Sequence, residues 1–411
     1  MKADKKLKLK VRKSQIKDSI DAAYAASSER FYRPEKVKKA KKTGSTVLAV
    51  ILCFALLFCI FNINYLTPYK MKEHLGAIFS DFGKGEGFPY RFTSNEVLDF
   101  FAFNSKDYVV LTNSELIILN KSATPVLTYH HSMSNPIAKY SRDRILLIDQ
   151  GGTKAVVLNQ SGQLISFPIK GKLVCGTISD SGRTAIVQNI SSQEQDVSVY
   201  SNRGKELMSW KKGSGYMIDV TLNNTGSLLC VGMVDTVGAV KTTNILNFNV
   251  GNAKQISHTV LKDTILYSVR FLNANHIAVL SKKNITILNT KCVVVKETDL
   301  PAENSSILRI SDNGYILNVY SLYNNGRYTV DVYNGALKTL YSGELEGEIK
   351  NAYVNTRSIV ILFEDNHAVM NSFNSKKEWT ASVEYDSLYL CAKDRNIYFC
   401  SNGVVNKVKA G

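Results

Sequence analysis

From Val97 onward the chain is a succession of short apolar runs rich in Val, Ile, Tyr and Phe, separated by clusters of Asn, Gly, Ser and Asp. Branched and aromatic residues suit a pleated surface, and the clusters are turn formers, so the pattern predicts β-strands joined by tight turns. No amphipathic helix of useful length interrupts them. The runs also repeat. One unit reads VLDFFAF, DYVVLTN, ELIILNK, PVLTYHH; another reads YSVRFLN, HIAVLSK, NITILNT, CVVVKET. First strands are expected to begin near Val97, Pro136, Leu173, Met217, Ile265, Ser306, Lys350 and Leu388, eight starts about 41 residues apart. Four short strands with their turns fill roughly 40–45 residues, the size of one propeller blade.

The expected fold is therefore all-β: an eight-bladed β-propeller over residues 86–411, with seven blades as the alternative. Its last unit, LYLCAKD, NIYFCSN and VVNKVK, has only three strands, and the run Phe88–Phe92 ahead of the first full unit is spare. Pairing that run with the last unit would close the ring and remove the exposed edges that invite aggregation. The segments Ser179–Gly182, Asn223–Gly226 and Ser311–Gly314 have the composition of turns between first and second strands.

The pattern changes character before residue 86. No charged residue occurs from Thr43 to Tyr69, and Val47–Phe61 is almost wholly apolar. About twenty helical residues at ~1.5 Å each cover the ~30 Å hydrocarbon core of a bilayer. Backbone groups in lipid must bond internally, so residues 46–66 are expected to form one transmembrane helix preceding the propeller. The cluster Lys36–Lys42 stands directly before it, which places the N-terminus in the cytoplasm and the C-terminal domain outside. A long basic region and the lack of a small-residue cleavage site argue against a cleaved signal peptide. Beyond the span, Met71, Leu75, Ile78 and Phe82 follow helical spacing, so residues 67–85 read as a juxtamembrane amphipathic helix and linker.

Charge sharpens this picture. Residues 1–42 hold twelve Lys and three Arg against five acidic residues, so about +10 of the net +16 lies in the tail. The high charge therefore describes residues 1–45, a basic and largely disordered tail, and gives no reason to expect nucleic acid as a partner. The tail can attract anionic lipid or dock a cytoplasmic partner. Within it, SIDAAYAASSERFYRPEK could form a short helix ending before Pro34.

Candidate chemistry is sparse. The six histidines show no metal-ligand spacing except the adjacent pair His130–His131, which would point to opposite faces of a strand. Asp149–Gly152 has the glycines of a phosphate loop but no following Lys-Ser/Thr, and is read as a hairpin turn. Asp180, Asp312 and the Glu364–Asp365 pair are read as turn residues. The cysteines are scattered without a C-x-x-C pair, and Cys391 and Cys400 leave a hairpin disulfide open. Trp210 and Trp379 are expected in or beside outer strands, without the Trp-bearing repeats of quinone-cofactor propellers. No catalytic, cofactor-binding or metal residue is assigned, no cofactor is expected, and the chain is not expected to be an enzyme.

The order of basic tail, anchor, GEGFP (Gly85–Pro89), LLIDQGG (Leu146–Gly152) and SDSGRTAIV (Ser179–Val187) resembles a family of uncharacterised single-pass proteins of clostridia and related Firmicutes. The resemblance implies a quinoprotein/WD40-like propeller at a bacterial cell surface and carries over no functional residues. The expected function is a membrane-anchored scaffold that binds an envelope protein through propeller loops. The alternative is a ligand sensor, or an enzyme, with its site at the central channel, where innermost strands would supply Asp99, Asp219 and Arg270.

Overall fold

The structure is a computed structural model. It describes residues 13–22, 87–93, 96–104, 106–301, 305–323, 326–374, 378–383, 387–393 and 396–409. The chain divides into two units, 1–74 and 75–411. In the first, residues 13–22 form a fully exposed helix that includes the start of the one expected after residue 18, and the rest of that expected helix lies outside the described residues. The expected span 46–66 and the helix at 67–85 lie outside the described residues. Among those described, no helix is long and apolar enough to cross a membrane.

The second unit holds eight four-stranded antiparallel sheets. Seven are built from consecutive strands: blade 1 spans 97–130, blade 2 136–166, blade 3 172–212, blade 4 216–262, blade 5 266–299, blade 6 305–346 and blade 7 349–382. Each observed first strand starts within one residue of its expected position. In the eighth sheet the N-terminal strand Tyr90–Arg91 pairs with Val404–Lys409, which pairs in turn with Asn396–Ser401 and then Tyr389–Lys393. The two ends of the domain therefore share one blade, as the three-strand count of the last unit required.

Position in the blade accounts for the sequence of each strand. Second strands such as Arg144–Asp149 and Ser358–Phe363 are buried throughout, because neighbouring blades cover both faces. They read as continuous apolar runs for that reason. Outer strands such as Glu378–Ser382 alternate exposed and half-buried positions, since only one face meets a neighbour. Eight apolar clusters result, one at each junction between consecutive blades. Blades 3 and 4 share Val197, Val199, Val220 and Val231, and blades 8 and 1 share Tyr398, Val405, Tyr108 and Val110.

Three turns behave as their composition suggested. In each, the glycine N–H donates to the carbonyl three residues back: Gly182 to Ser179 at 2.8 Å, Gly226 to Asn223 at 2.8 Å and Gly314 to Ser311 at 2.9 Å. All three glycines have positive φ, 78°, 66° and 73°, the left-handed region where a side chain is strained. Asp149–Gly152 is the start of the hairpin between the second and third strands of blade 2, closed by Asp149 N–H to the Lys154 carbonyl at 2.9 Å. Cys391 and Cys400 are free, and the register opposes Cys391 to Tyr398 and Cys400 to Tyr389, so the two thiols are diagonal neighbours. Trp210 and Trp379 lie on the outer strands of blades 3 and 7.

Gly176 marks a close approach of blades 2 and 3. A Cβ there would lie 2.7 Å from Ile148 Cδ1 and 2.8 Å from the Ala185 carbonyl oxygen. Gly176→Ala should overpack this junction and cost about 1–3 kcal/mol. A urea-unfolding midpoint equal to that of the wild type would contradict it.

Candidate functional site

The inner strands decide what faces the central channel. In six blades the ladder between the first and second strands slips by one residue: after Val97, Leu173, Met217, Leu266, Ser305 and Ile349. Such a bulge re-aims the side chain that follows it. The residues so placed are Asp99, Cys175, Asp219, Ser268, Ile307 and Asn351. Three of them reach the next blade. Cys175 meets the backbone N–H of Val220. Asp219 Oδ2 accepts from Ser268 Oγ at 2.8 Å and from Val269 N–H at 3.0 Å. Asn351 Nδ2 donates to the Leu388 carbonyl at 2.9 Å. Asp99, Asp219 and Asn351 also each accept their own next N–H through Oδ1, at 2.8, 2.9 and 2.9 Å.

A second ring is set by the penultimate residue of each inner strand, which includes Tyr140, Thr177, Thr221, Arg270, Arg309 and Tyr353. Inner strands of blades 3, 4 and 5 pack side by side, whereas those of blades 5, 6 and 7 approach each other less closely. The two arginines span the wider gaps. Arg270 in blade 5 donates to the Ile310 carbonyl at 3.2 Å and pairs with Asp312 at 3.1 Å in blade 6. Arg309 in blade 6 donates to Asn351 Oδ1 at 2.6 Å and to the Ala352 carbonyl in blade 7.

One contact crosses the channel. The Tyr140 hydroxyl of blade 2 donates to Asp312 Oδ2 in the first turn of blade 6, four blades away in a ring of eight. Tyr140 is held in place by Phe101, its ring stacked at 4.2 Å and 1°. Burial and the Asp312 carboxylate push the Tyr140 phenol well above its ordinary range, so it stays a donor. Nearby, Arg142 lies 3.5 Å from Asp180, which also accepts from Ser141 Oγ. These groups line a cavity of about 670 Å³ together with Asp99, Lys139, Asp219, Tyr353 and Tyr389.

Burial raises the pKa of both Asp99 and Asp219, and Lys139 opposes the rise in each. A carboxyl whose folded pKa is raised holds its proton more tightly folded than unfolded. Its contribution to stability is complete below the unfolded pKa and is lost as pH climbs through the folded one. The share of the urea midpoint that Asp99 and Asp219 contribute should therefore fall as pH rises from about 4 toward neutrality, so the midpoint of Asp99→Asn with Asp219→Asn should gain on that of the wild type over this range. An unchanged pH slope in the double variant would show that other groups control it.

Among the described residues the channel lining includes no histidine, and burial pushes the Cys175 thiol far above its usual range, which disfavours the nucleophilic thiolate. Elsewhere His130 lies 3.2 Å from Glu115 and is exposed, while His131 is half-buried beside the Thr112 carbonyl. Among the described residues no three metal-ligating side chains converge.

Sequence reading placed Asp99, Asp219 and Arg270 at the channel, and the structure brings all three there. It missed Lys139, Tyr140, Arg309 and Tyr353, whose signal is polar or aromatic residues near the ends of first strands. Asp312, read only as a turn residue, is at once a turn residue and the acceptor of the cross-channel contact.

Ring closure through a shared blade, eight junctions and a polar axial channel define a closed eight-bladed β-propeller. The chain belongs to a family of unknown function (DUF5711), which it matches over residues 91–409. No curated protein matches it. Among solved structures it is similar to the computationally designed Ika8 protein, at TM-score 0.59 and 12% identity over 79% of this chain and 98% of that one. Sqt1 of Saccharomyces cerevisiae gives TM-score 0.57 and 10% identity over 80% and 100%. BamB from Moraxella catarrhalis gives 0.50 and 10% over 78% and 99%. At such identities the likeness is one of fold.

Proposed function

We propose that the chain is a single-pass membrane protein whose propeller lies outside the cell and serves as a protein-binding or scaffold module of a bacterial envelope. The observation that carries this reading is the uncharged run Thr43–Tyr69, directly behind the Lys36–Lys42 cluster and ahead of a closed propeller. Residues 46–66 hold the bilayer, and the tail binds anionic lipid or a cytoplasmic partner. The propeller fold is typical of protein-binding scaffolds. In support, the outer strands of blades 4 and 5 carry exposed apolar side chains, Ile256 and Val260 on one and Val294 and Val295 on the other. Exposed apolar side chains on two neighbouring outer strands suit a protein contact.

Two measurements test it. Protease added to intact protoplasts should digest the propeller; a spared C-terminal domain, cut only after lysis, would overturn the orientation. A photo-crosslinking residue at Ile256 or Val294 should capture one envelope protein that the same group at Thr128 of blade 1 does not. Uniform labelling from all three positions would remove the binding role.

A further inference from the structure

We propose that the central channel binds a small organic zwitterion of the amino-acid class, its carboxylate held by Lys139 and Arg309 and its ammonium by Asp99. This binding is independent of the membrane anchor and of any protein partner on blades 4 and 5.

The argument starts from which channel groups are already satisfied. Arg270 and Asp312 pair with each other, and Tyr140 takes the second oxygen of Asp312. Arg142 and Asp180 pair at the mouth. Asp219 accepts three hydrogen bonds, from Val220, Ser268 and Val269. Those groups hold blades together and have little left to offer a ligand.

Three groups differ. Among the described residues, nothing bonds or pairs with the Lys139 ammonium, although its charge acts on Asp99, Asp219 and Cys175 from the inner strand of blade 2. Arg309 uses Nη2 alone, toward Asn351 and Ala352, so Nε and Nη1 remain for another acceptor. Asp99 uses Oδ1 toward the Phe100 N–H and leaves Oδ2 unbonded. The charges of Lys139 and Arg309 both favour the ionised form of Asp99. All three line the cavity.

Two cations and one anion with spare bonding capacity specify the ligand's charges. A simple anion would leave the Asp99 carboxylate opposing it. An amine alone would leave Lys139 and Arg309 without an acceptor. A neutral sugar would meet the hydrogen bonds but not the charges. A molecule carrying both an anionic group such as a carboxylate and an ammonium answers every group, and in a cavity walled by protein such pairs are stronger than in water. The aromatic rings of Tyr353 and Tyr389 offer apolar surface to the rest of the molecule. A volume of about 670 Å³ accommodates anything from one amino acid to a short peptide.

The test is calorimetric titration of the full chain in detergent with the free α-amino acids and a set of dipeptides. Each is matched by its N-acetylated and its C-amidated form, with acetate, phosphate and glucose as further probes. At least one free compound should bind with Kd below about 1 mM, and blocking either end should weaken it at least about tenfold. Lys139→Gln should weaken it similarly while keeping the wild-type far-UV circular dichroism, because that side chain makes no hydrogen bond within the propeller even though its charge favours the ionised Asp99 and Asp219. Asp99→Asn should abolish the preference for the free amine. Failure of every compound to bind, equal binding of the blocked forms, equal binding by acetate or phosphate, or unchanged affinity in Lys139→Gln would each overturn the proposal. None of these outcomes bears on the protease and crosslinking results, so the two readings fail separately.

Discussion

Val405→Asp should unfold the ring at the lowest denaturant concentration of any single substitution considered. Val405 is 0% exposed, in the strand that joins Tyr90–Arg91 on one side to Asn396–Ser401 on the other. It belongs to the cluster where Tyr398 and Cys400 of blade 8 meet Tyr108 of blade 1, with Phe88 packed edge-on to Tyr398 at 5.2 Å. A carboxylate there is surrounded by apolar and aromatic side chains and must be desolvated or protonated, which costs several kcal/mol. Against a typical total of about 5–15 kcal/mol, this is a large fraction. The site also closes the circle, so its loss frees an edge on blade 8 and the exposed face of blade 1 together. Trp210 and Trp379 sit in blades 3 and 7, so fluorescence reports unfolding from two places in the ring. Both signals should move to markedly lower urea in the variant. Lys409→Asp, at an exposed position of the same strand, should change stability by less than about 0.5 kcal/mol. If both variants unfold alike, the closure is not what holds the ring.

Asp219→Ala should be the second most damaging change, and distinctly worse than Asp99→Ala. The two aspartates occupy the same place after the same bulge, yet their bonds differ. Asp219 satisfies two backbone N–H groups, at buried Val220 and Val269, and the Ser268 hydroxyl, so it ties blade 4 to blade 5. Asp99 satisfies only the Phe100 N–H within its own blade. A buried donor left without an acceptor costs about 1–3 kcal/mol. Relief from carrying a desolvated carboxyl returns part of that. The expected net loss is about 2–5 kcal/mol for Asp219→Ala and about 1–2 kcal/mol for Asp99→Ala. Asp219→Asn, which keeps an acceptor oxygen, should fall between Asp219→Ala and the wild type. Chemical denaturation at one pH measures all three. Equal losses at positions 99 and 219 would show that the inter-blade bonds contribute nothing.

Blade number, blade starts and closure were legible in the sequence because they rest on local chemistry. A strand of five or six branched or aromatic residues ended by Ser-Asp-x-Gly needs no distant information to be recognised. A unit short of one strand, with a spare strand at the other end, leaves a single closing partner. The identity of Asp99, Asp219 and Arg270 as channel residues followed from the same repeat, since first strands of blades face the axis.

What only the tertiary structure decided is which charged groups are satisfied and which are not. Asp99 and Asp219 look alike in VLDFF and MIDVT. Their difference arises because blade 5 offers Ser268 and Val269 to one, while the other meets no donor from its neighbour. Lys139 in PIAKYS and Arg309 in ILRIS read as ordinary strand residues, and Asp312 as a turn. Their roles come from the uneven spacing of inner strands around the ring and from a tyrosine that reaches four blades away. Strand patterns record contacts between residues a few positions apart. A channel is assembled from residues up to hundreds of positions apart, whose mutual distances are set only when the ring closes.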